Sequence, residues 1–364
     1  MTSPLPGRIL SQAMNDLKSP KSILVKCPNW VGDLVAATGA LRCFRRTWPE
    51  ARIALLLRPS LAALMEGSPR HDELIPDGFR EGSRKGRRAT VRRIREGRFD
   101  LGILMTHGFT PRYAMWRGGV ARRVGLAKGR FAPLLHEKVS IAELKAGRSF
   151  VAKVELYRAL CEKLGCEAPE DQRPELFVPE ALKRRAGALL AEGGRGEGRK
   201  LVGVAPGAAY GPAKRWPAGR FAEVADRLLA RGDCDVVLLT SPAESNLADA
   251  VQSRMGRALI RPPEGEMDLC MLKALVERCS LLVGNDSGPR HVAIAFGVPA
   301  VTVMGPTDPR VTDSPYEKGA IVRGEAPCAP CCKRVCPTDH VCMMSVRAEE
   351  VASKAEDWLD GREA

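Results

Sequence analysis

Four short loops hold most of the residues able to do chemistry. In Pro28-Asn29-Trp30-Val31-Gly32-Asp33, glycine lets backbone approach a ligand, and Asp33 offers a carboxylate to take a proton from a substrate hydroxyl. A helix N-cap accounts for the same aspartate. In Pro206-Gly207-Ala208-Ala209-Tyr210-Gly211-Pro212-Ala213-Lys214-Arg215-Trp216-Pro217, two glycines and a Lys-Arg pair precede a helix opened by proline. Backbone N–H groups and cations in that order suit a diphosphate; a surface turn uses the same glycines. The loop is neither a Walker A sequence nor a Gly-x-Gly-x-x-Gly fingerprint.

The third loop, Val283-Gly284-Asn285-Asp286-Ser287-Gly288-Pro289-Arg290-His291, is the most informative. An apolar run ends in small polar residues, and a helix begins at about Gly288. The amides of Ser287 and Gly288 would face an anion, and Asp286 would hold sugar hydroxyls. His291, in the first turn, equally reads as a structural hydrogen-bonder. Met304-Gly305-Pro306-Thr307-Asp308-Pro309 would flank the same crevice, and Glu244 would accept from ribose hydroxyls or favour a helix N-terminus by its charge. A diphosphate site in the second half and a carboxylate in the first suit glycosyl transfer from a sugar nucleotide better than hydride transfer.

Elements must hold these loops in place. Short β-branched runs at 22–27, 53–57 and 99–105 alternate with helical periods at 34–47 and 150–164. The second half repeats the pattern, with strands at 201–205, 235–239, 281–284 and 300–304 and helices at 218–231, 243–255 and 267–279. A polar, Pro-rich stretch at 168–179 separates the halves. The expected class is α/β: two Rossmann-like domains facing across a cleft, over 21–178 and 179–345, after an N-terminal extension 1–20.

Composition narrows the function further. The chain has 364 residues, 45% hydrophobic and 27% charged, enough for two cores and unlike a disordered or integral membrane protein. No run nears the roughly 20 apolar residues of a membrane span, and no secretory h-region opens the chain, so a cytosolic protein is expected. The net charge of +14 lies wholly in the first 175 residues, which carry 32 basic and 18 acidic side chains against 25 of each thereafter. Nine basic residues fall between Arg80 and Arg98 alone. Such a patch draws polyanions, whether nucleic acid, anionic headgroups or a phosphorylated substrate, or is a solvated face. Aromatics at 5% argue against a single-strand-binding platform, and no nucleic-acid partner is expected.

Taken in order, the Asn-Trp-Val-Gly-Asp loop, the Pro206–Pro217 loop, Asn285-Asp286-Ser287-Gly288-Pro289 with His291, and Gly305-Pro306-Thr307-Asp308-Pro309 resemble the ADP-heptose:lipopolysaccharide heptosyltransferases. The first loop is most similar to the second-heptose enzymes, and the resemblance runs from about Lys21 to the C-terminus. It implies a GT-B fold and inverting, metal-independent transfer from ADP-L-glycero-D-manno-heptose to the lipopolysaccharide inner core at the cytoplasmic face of the inner membrane. It implies Asp33 as general base and Lys214 neutralising the departing ADP, assisted by the Ser287 and Gly288 amides. Gly207, Arg215 and His291 would also line the donor site, with Asp286 on the heptose and Glu244 on the ribose. Arg58, Arg84, Arg88, Arg92, Arg122 and Arg123 would meet a phosphorylated, membrane-borne acceptor. The terminal segment 346–364 would cross back to the first domain. Other readings are another GT-B sugar-nucleotide enzyme, such as a 2-epimerase, or a silent relative that binds nucleotides or polyanions.

Twelve cysteines complete the inventory. Seven are scattered in apolar contexts; Cys328, Cys331, Cys332, Cys336 and Cys342 cluster in a loop over 328–342. Four of these, Cys328, Cys331, Cys336 and Cys342, have spacing for a structural zinc; a disulfide or reduced packing thiols are the alternatives. The resemblance implies no metal, and no cofactor is expected.

Overall fold

The structure, a computed structural model, describes residues 20–79, 82–129, 132–312 and 314–362. Most of the N-terminal extension, and Arg80 of the basic run, lie outside them. The chain forms two compact units: residues up to 29, 36–62 and 68–173 in the first, and 30–35, 63–67 and 174 onward in the second. The division thus falls at 173/174, five residues before the expected boundary, and two short segments of the first half group with the second unit.

In the first unit, β1 (Ser22–Lys26), β2 (Arg52–Leu57), β3 (Glu73–Pro76), β4 (Leu101–Leu104), β5 (Arg122–Ala127) and β6 (Glu137–Ser140) make a parallel sheet in the order β3-β2-β1-β4-β5-β6. This is the doubly wound order, whose direction reverses between β1 and β4. Every residue of β1 is buried, which is why Ser-Ile-Leu-Val-Lys reads as a continuous apolar run and not an alternating one. At its end, buried Lys26 pairs with Asp77 at 3.2 Å and donates to the Cys27 carbonyl at 2.7 Å and Asn29 Oδ1 at 3.2 Å, fixing the loop that follows.

Helices α1 (Val31–Thr47), α2 (Arg84–Gly97), α3 (Phe109–Arg117) and α4 (Lys153–Lys163) accompany these strands. The Ser83 hydroxyl caps α2 by accepting from the Gly86 amide at 2.9 Å. Only Thr90 and Ile94 of α2 are buried, so its arginines line an exposed face.

The second unit has helices α5 (Glu180–Glu192), α6 (Ala218–Ala230), α7 (Leu269–Glu277), α8 (Gly288–Phe296) and α9 (Ala348–Leu359). Its parallel sheet contains β7 (Lys200–Ala205), β8 (Cys234–Leu238), β9 (Leu281–Asn285), β10 (Ala300–Met304) and β11 (Gly319–Arg323), ordered β11-β10-β9-β7-β8. Here the reversal falls between β7 and β9. Trp216 packs edge-on against Phe221, ring centroids 5.0 Å apart, in a core with Val204, Val236, Leu281 and Val301.

The terminal helix departs from expectation. Instead of returning to the first domain, α9 buries Val351, Ala352, Ala355 and Leu359 in the core of the second unit. Spaced i, i+1, i+4 and i+8, they form one apolar stripe. Its polar side is tied to α6 by Arg227–Glu356 and Arg231–Asp360, both at 2.6 Å.

Candidate active site

In doubly wound sheets, ligands bind beyond the carboxyl ends of strands where the order reverses. The pairing of β7 with β9 aligns Ala205 with Gly284, so the loops after both strands emerge together. Buried Asn285 joins them: its amide donates to the Pro206 carbonyl at 2.7 Å, and its Oδ1 accepts from the Trp216 amide at 3.1 Å. The Lys214 ammonium is thereby brought to Asp286, donating to Oδ2 at 2.5 Å and to the backbone carbonyl at 3.0 Å.

Asp286 is almost fully buried and accepts two more bonds. Thr307 Oγ1 donates at 2.8 Å and Arg290 Nη1 at 2.8 Å; Arg290 in turn makes a bidentate pair with Glu317 at 2.6 Å. Burial works to raise the Asp286 carboxyl, but Lys214 and Arg290 beside it hold it well below the usual carboxylate range. Asp286 is therefore a fixed anion that orients Lys214, and both oxygens are already engaged.

Asp33 lies in the first turn of α1, three residues into a helix that begins at Val31, so it is not the N-cap residue. Residues 30–35 group with the second unit, where the turn packs on the start of α8. A Cβ on Gly288 would lie 2.9 Å from Val31 Cγ1, and one on Gly32 only 2.4 Å from His291 Cδ2. Burial, then the Arg290 charge, lowers the His291 pKa to about 4 against the opposing pull of Asp286 and Asp33, so its imidazole is neutral at pH 7.

Two buried polar atoms at this site meet no hydrogen-bond partner among the described residues: Ser287 Oγ, at the N-cap of α8, and Arg215 Nε. With Lys214 and the first amides of α8, they suit an anion with several oxygens. The Glu244 carboxylate is occupied. It accepts from the Ala208 amide at 3.0 Å and the Ser241 hydroxyl at 2.7 Å, and it closes a capping box. A Cβ on Gly207 would lie 2.4 Å from the Glu244 oxygens, so a side chain there would push the carboxylate off these bonds.

The segment 328–342 braces the Lys214 loop. The Arg334 carbonyl accepts from the Ala213 amide at 3.0 Å, His340 Nε2 lies 2.6 Å from the Ala213 carbonyl, and the Tyr210 hydroxyl donates to the Cys332 carbonyl at 2.7 Å. All twelve cysteines are free thiols, so the disulfide alternative is not realised. Among the described residues no three His, Cys, Asp or Glu side chains gather to hold a metal ion. Cys342 is packed into the core and Cys328 is exposed; burial, then the neighbouring Cys328, Cys331 and Cys336, pushes the Cys342 thiol up.

The six arginines expected to share an acceptor surface do not form one patch. Arg58 follows β2 at the carboxyl edge of the first sheet, where it donates to the Asn29 carbonyl at 3.4 Å. Arg84, Arg88 and Arg92 lie on the exposed face of α2. Arg122 and Arg123 open β5, at the opposite edge. Arg122 pairs with Glu137, and Arg123 donates to the Leu134 carbonyl at 2.6 Å, so both guanidinium groups serve the sheet. Trp30, Tyr210, Arg334, Thr307 and the Arg290–Glu317 pair were not anticipated as site residues.

Two doubly wound parallel sheets in one chain, with an anion-receptive site at the second reversal point, define a GT-B glycosyltransferase. The chain belongs to glycosyltransferase family 9, the heptosyltransferase family, whose profile matches residues 87–342. It is similar to lipopolysaccharide heptosyltransferase 2 of Escherichia coli K12, with 28% identity over 315 residues, covering 83% of this chain and 87% of that protein. Among solved structures, a family 9 glycosyl transferase from Veillonella parvula superposes with a TM-score of 0.79 at 25% identity, covering 94% of this chain and 97% of that one. The E. coli ADP-heptose lipopolysaccharide heptosyltransferase II gives 0.74 at 26% identity, covering 94% and 100%.

Proposed function

We propose that the protein transfers heptose from an ADP-heptose donor to the inner core of lipopolysaccharide, with inversion, as the second-heptose enzyme. Family membership supports the donor and acceptor classes. The observation that carries the reading is the Lys214–Asp286 pair beside the orphaned Ser287 hydroxyl. In the reaction the acceptor oxygen bonds to the anomeric carbon as the bond from that carbon to the ADP oxygen breaks. Asp33 takes the acceptor proton, and ADP leaves with the electron pair. Lys214, Arg215 and the α8 amides meet the negative charge growing on the diphosphate, stabilising the transition state more than the ground state. Asp286 keeps Lys214 aimed, in place of the sugar-holding role expected of it, and Glu244 shapes the Gly207–Ala208 turn.

The acceptor is carried on lipid, and no helix among the described residues is long and apolar enough to cross a membrane. Contact with an anionic bilayer is assigned to the first unit. Exposed Phe109, Tyr113 and Trp116 form one stripe on α3 at i, i+4 and i+7. Arg95 of α2 donates to the Arg117 carbonyl at 3.0 Å, so the cationic helix ends beside that stripe. Exposed aromatics beside arginines suit a headgroup interface.

The test is direct. Purified protein should bind ADP in preference to UDP and GDP and transfer heptose to a core acceptor ending in its first heptose. Asp33→Asn should abolish transfer while leaving ADP binding intact. A wild type that binds ADP but transfers nothing, or an active Asp33→Asn, overturns the assignment.

A further inference from the structure

We propose that Trp30, Arg334 and Tyr210 form an acceptor subsite for an acidic sugar, a ring bearing a carboxylate or phosphate. The proposal rests on the heptosyl-transfer reading above and adds the chemistry by which the acceptor is selected.

All three residues belong to the second unit. The Arg334 guanidinium carbon lies 5.7 Å from the Trp30 ring centroid and 5.4 Å from that of Tyr210, and the two rings are 6.4 Å apart at 55°. Lys214 Nζ lies 5.2 Å from the Tyr210 ring, so this ring has the leaving-group cation on one contact and Arg334 on another. Trp30 immediately precedes the turn that carries Asp33, and it is 44% exposed.

Arg334 is an exposed loop residue, yet it is fixed from several directions. Its Nε donates to the Tyr210 carbonyl at 2.9 Å, and its own carbonyl accepts from the Ala213 amide. Gly211 makes that approach possible, because a Cβ there would lie 2.3 Å from the Arg334 oxygen. The Tyr210 hydroxyl is bonded to the Cys332 carbonyl, which fixes the ring's tilt. No carboxylate pairs with Arg334 among the described residues. Holding a long side chain in one place costs entropy, and a surface arginine ordinarily spends it on a carboxylate.

A guanidinium held against two rings binds an oxyanion bidentately, while an exposed indole stacks on the C–H face of a sugar. Arg334 is a separate cation from Lys214 on the same ring, and Trp30 adjoins the turn of Asp33, so the anion at Arg334 is assigned to the acceptor and not to the donor diphosphate.

Steady-state transfer and ADP titration test the assignment. With the native core acceptor, Arg334→Gln should raise the acceptor KM about tenfold or more, with kcat and ADP affinity within about twofold. Arg334→Lys should recover part of the loss, and Trp30→Phe should retain more acceptor affinity than Trp30→Ala. Acceptor treated with phosphatase and acceptor with esterified carboxyls identify the anion. The treatment that removes it should raise the wild-type KM and leave Arg334→Gln unaffected. An unchanged acceptor KM in Arg334→Gln, or a loss confined to ADP affinity, would overturn the subsite while wild-type transfer keeps the enzyme assignment standing. Absence of transfer by the wild type would instead remove the reading on which it rests.

Discussion

Gly32 and His291 touch with no room for a side chain between them: a Cβ on the glycine would lie 2.4 Å from Cδ2 and 2.7 Å from Nε2 of the imidazole. The turn that carries Asp33 is therefore positioned by a glycine against a neutral histidine at the start of α8. Gly32→Ala should displace that turn by part of an ångström. A misplacement of about 1 Å costs on the order of 10²-fold in rate, so kcat should fall toward that extent while ADP affinity, read by calorimetry, stays close to wild type.

Lys214→Ala removes the cation proposed to meet the leaving group. Loss of one preorganised charge-stabilising group typically costs about 10²–10³ in kcat. Lys214→Arg should not restore it fully, because the short contact with buried Asp286 is shaped for a compact ammonium. Single-turnover rates at saturating donor are the appropriate measurement.

The lowered His291 pKa makes stability depend on pH. Its ordinary value of 6.5 applies in the unfolded chain, and about 4 in the folded one, so the unfolded state binds the proton first as pH falls. The stabilisation is fully present above pH 6.5 and is lost between about 6.5 and 4, by about 3 kcal/mol in total. Asp286, held below its ordinary value, adds a further loss below about pH 3.8. Melting temperature against pH should decline over the first interval in the wild type and more gently in His291→Gln.

Lys26 and Asp77 form a buried ion pair, with side chains 2% and 6% exposed. Asp77→Ala leaves an uncompensated buried ammonium and should cost about 3–5 kcal/mol by denaturant unfolding. The double variant Lys26→Met/Asp77→Leu should be less destabilised than either single change.

If α2 and α3 contact an anionic bilayer, Arg84→Glu/Arg88→Glu/Arg92→Glu should abolish sedimentation with phosphatidylglycerol vesicles. At about 1 kcal/mol per basic residue, neutralising three already weakens binding by about 10²-fold. Phe109→Ser/Trp116→Ser should weaken binding even at low salt, where charge attraction is strongest.

Fully buried strands were legible in the sequence because covering both faces requires an unbroken apolar run; β10 falls at 300–304 as expected. The strands β3, β6 and β11 were not. Glu-Leu-Ile-Pro and Glu-Lys-Val-Ser are short and partly charged, and all three are edge strands whose single neighbour stabilises them. β5 was hidden by Arg122 and Arg123, whose charge suggested a ligand and which instead brace the sheet. The Lys214, Asp286 and Ser287 loops were legible because small residues after a strand are a local signal. The Trp30–Arg334–Tyr210 cluster had none, since its members come together only when segments about 120 to 300 residues apart are folded.

The placement of α9 has a consequence for how the chain is made. All six strands of the first unit have been synthesised by Ser140, and its last residue is 173, so it can fold while the ribosome is still translating the rest. The second unit cannot finish in that way. Its core needs Val351, Ala352, Ala355 and Leu359, and the Leu359 carbonyl accepts from Lys200 at the start of β7. The second unit is completed only once Leu359 has emerged, so nascent chains truncated before α9 should carry a folded first unit and no ADP-binding activity.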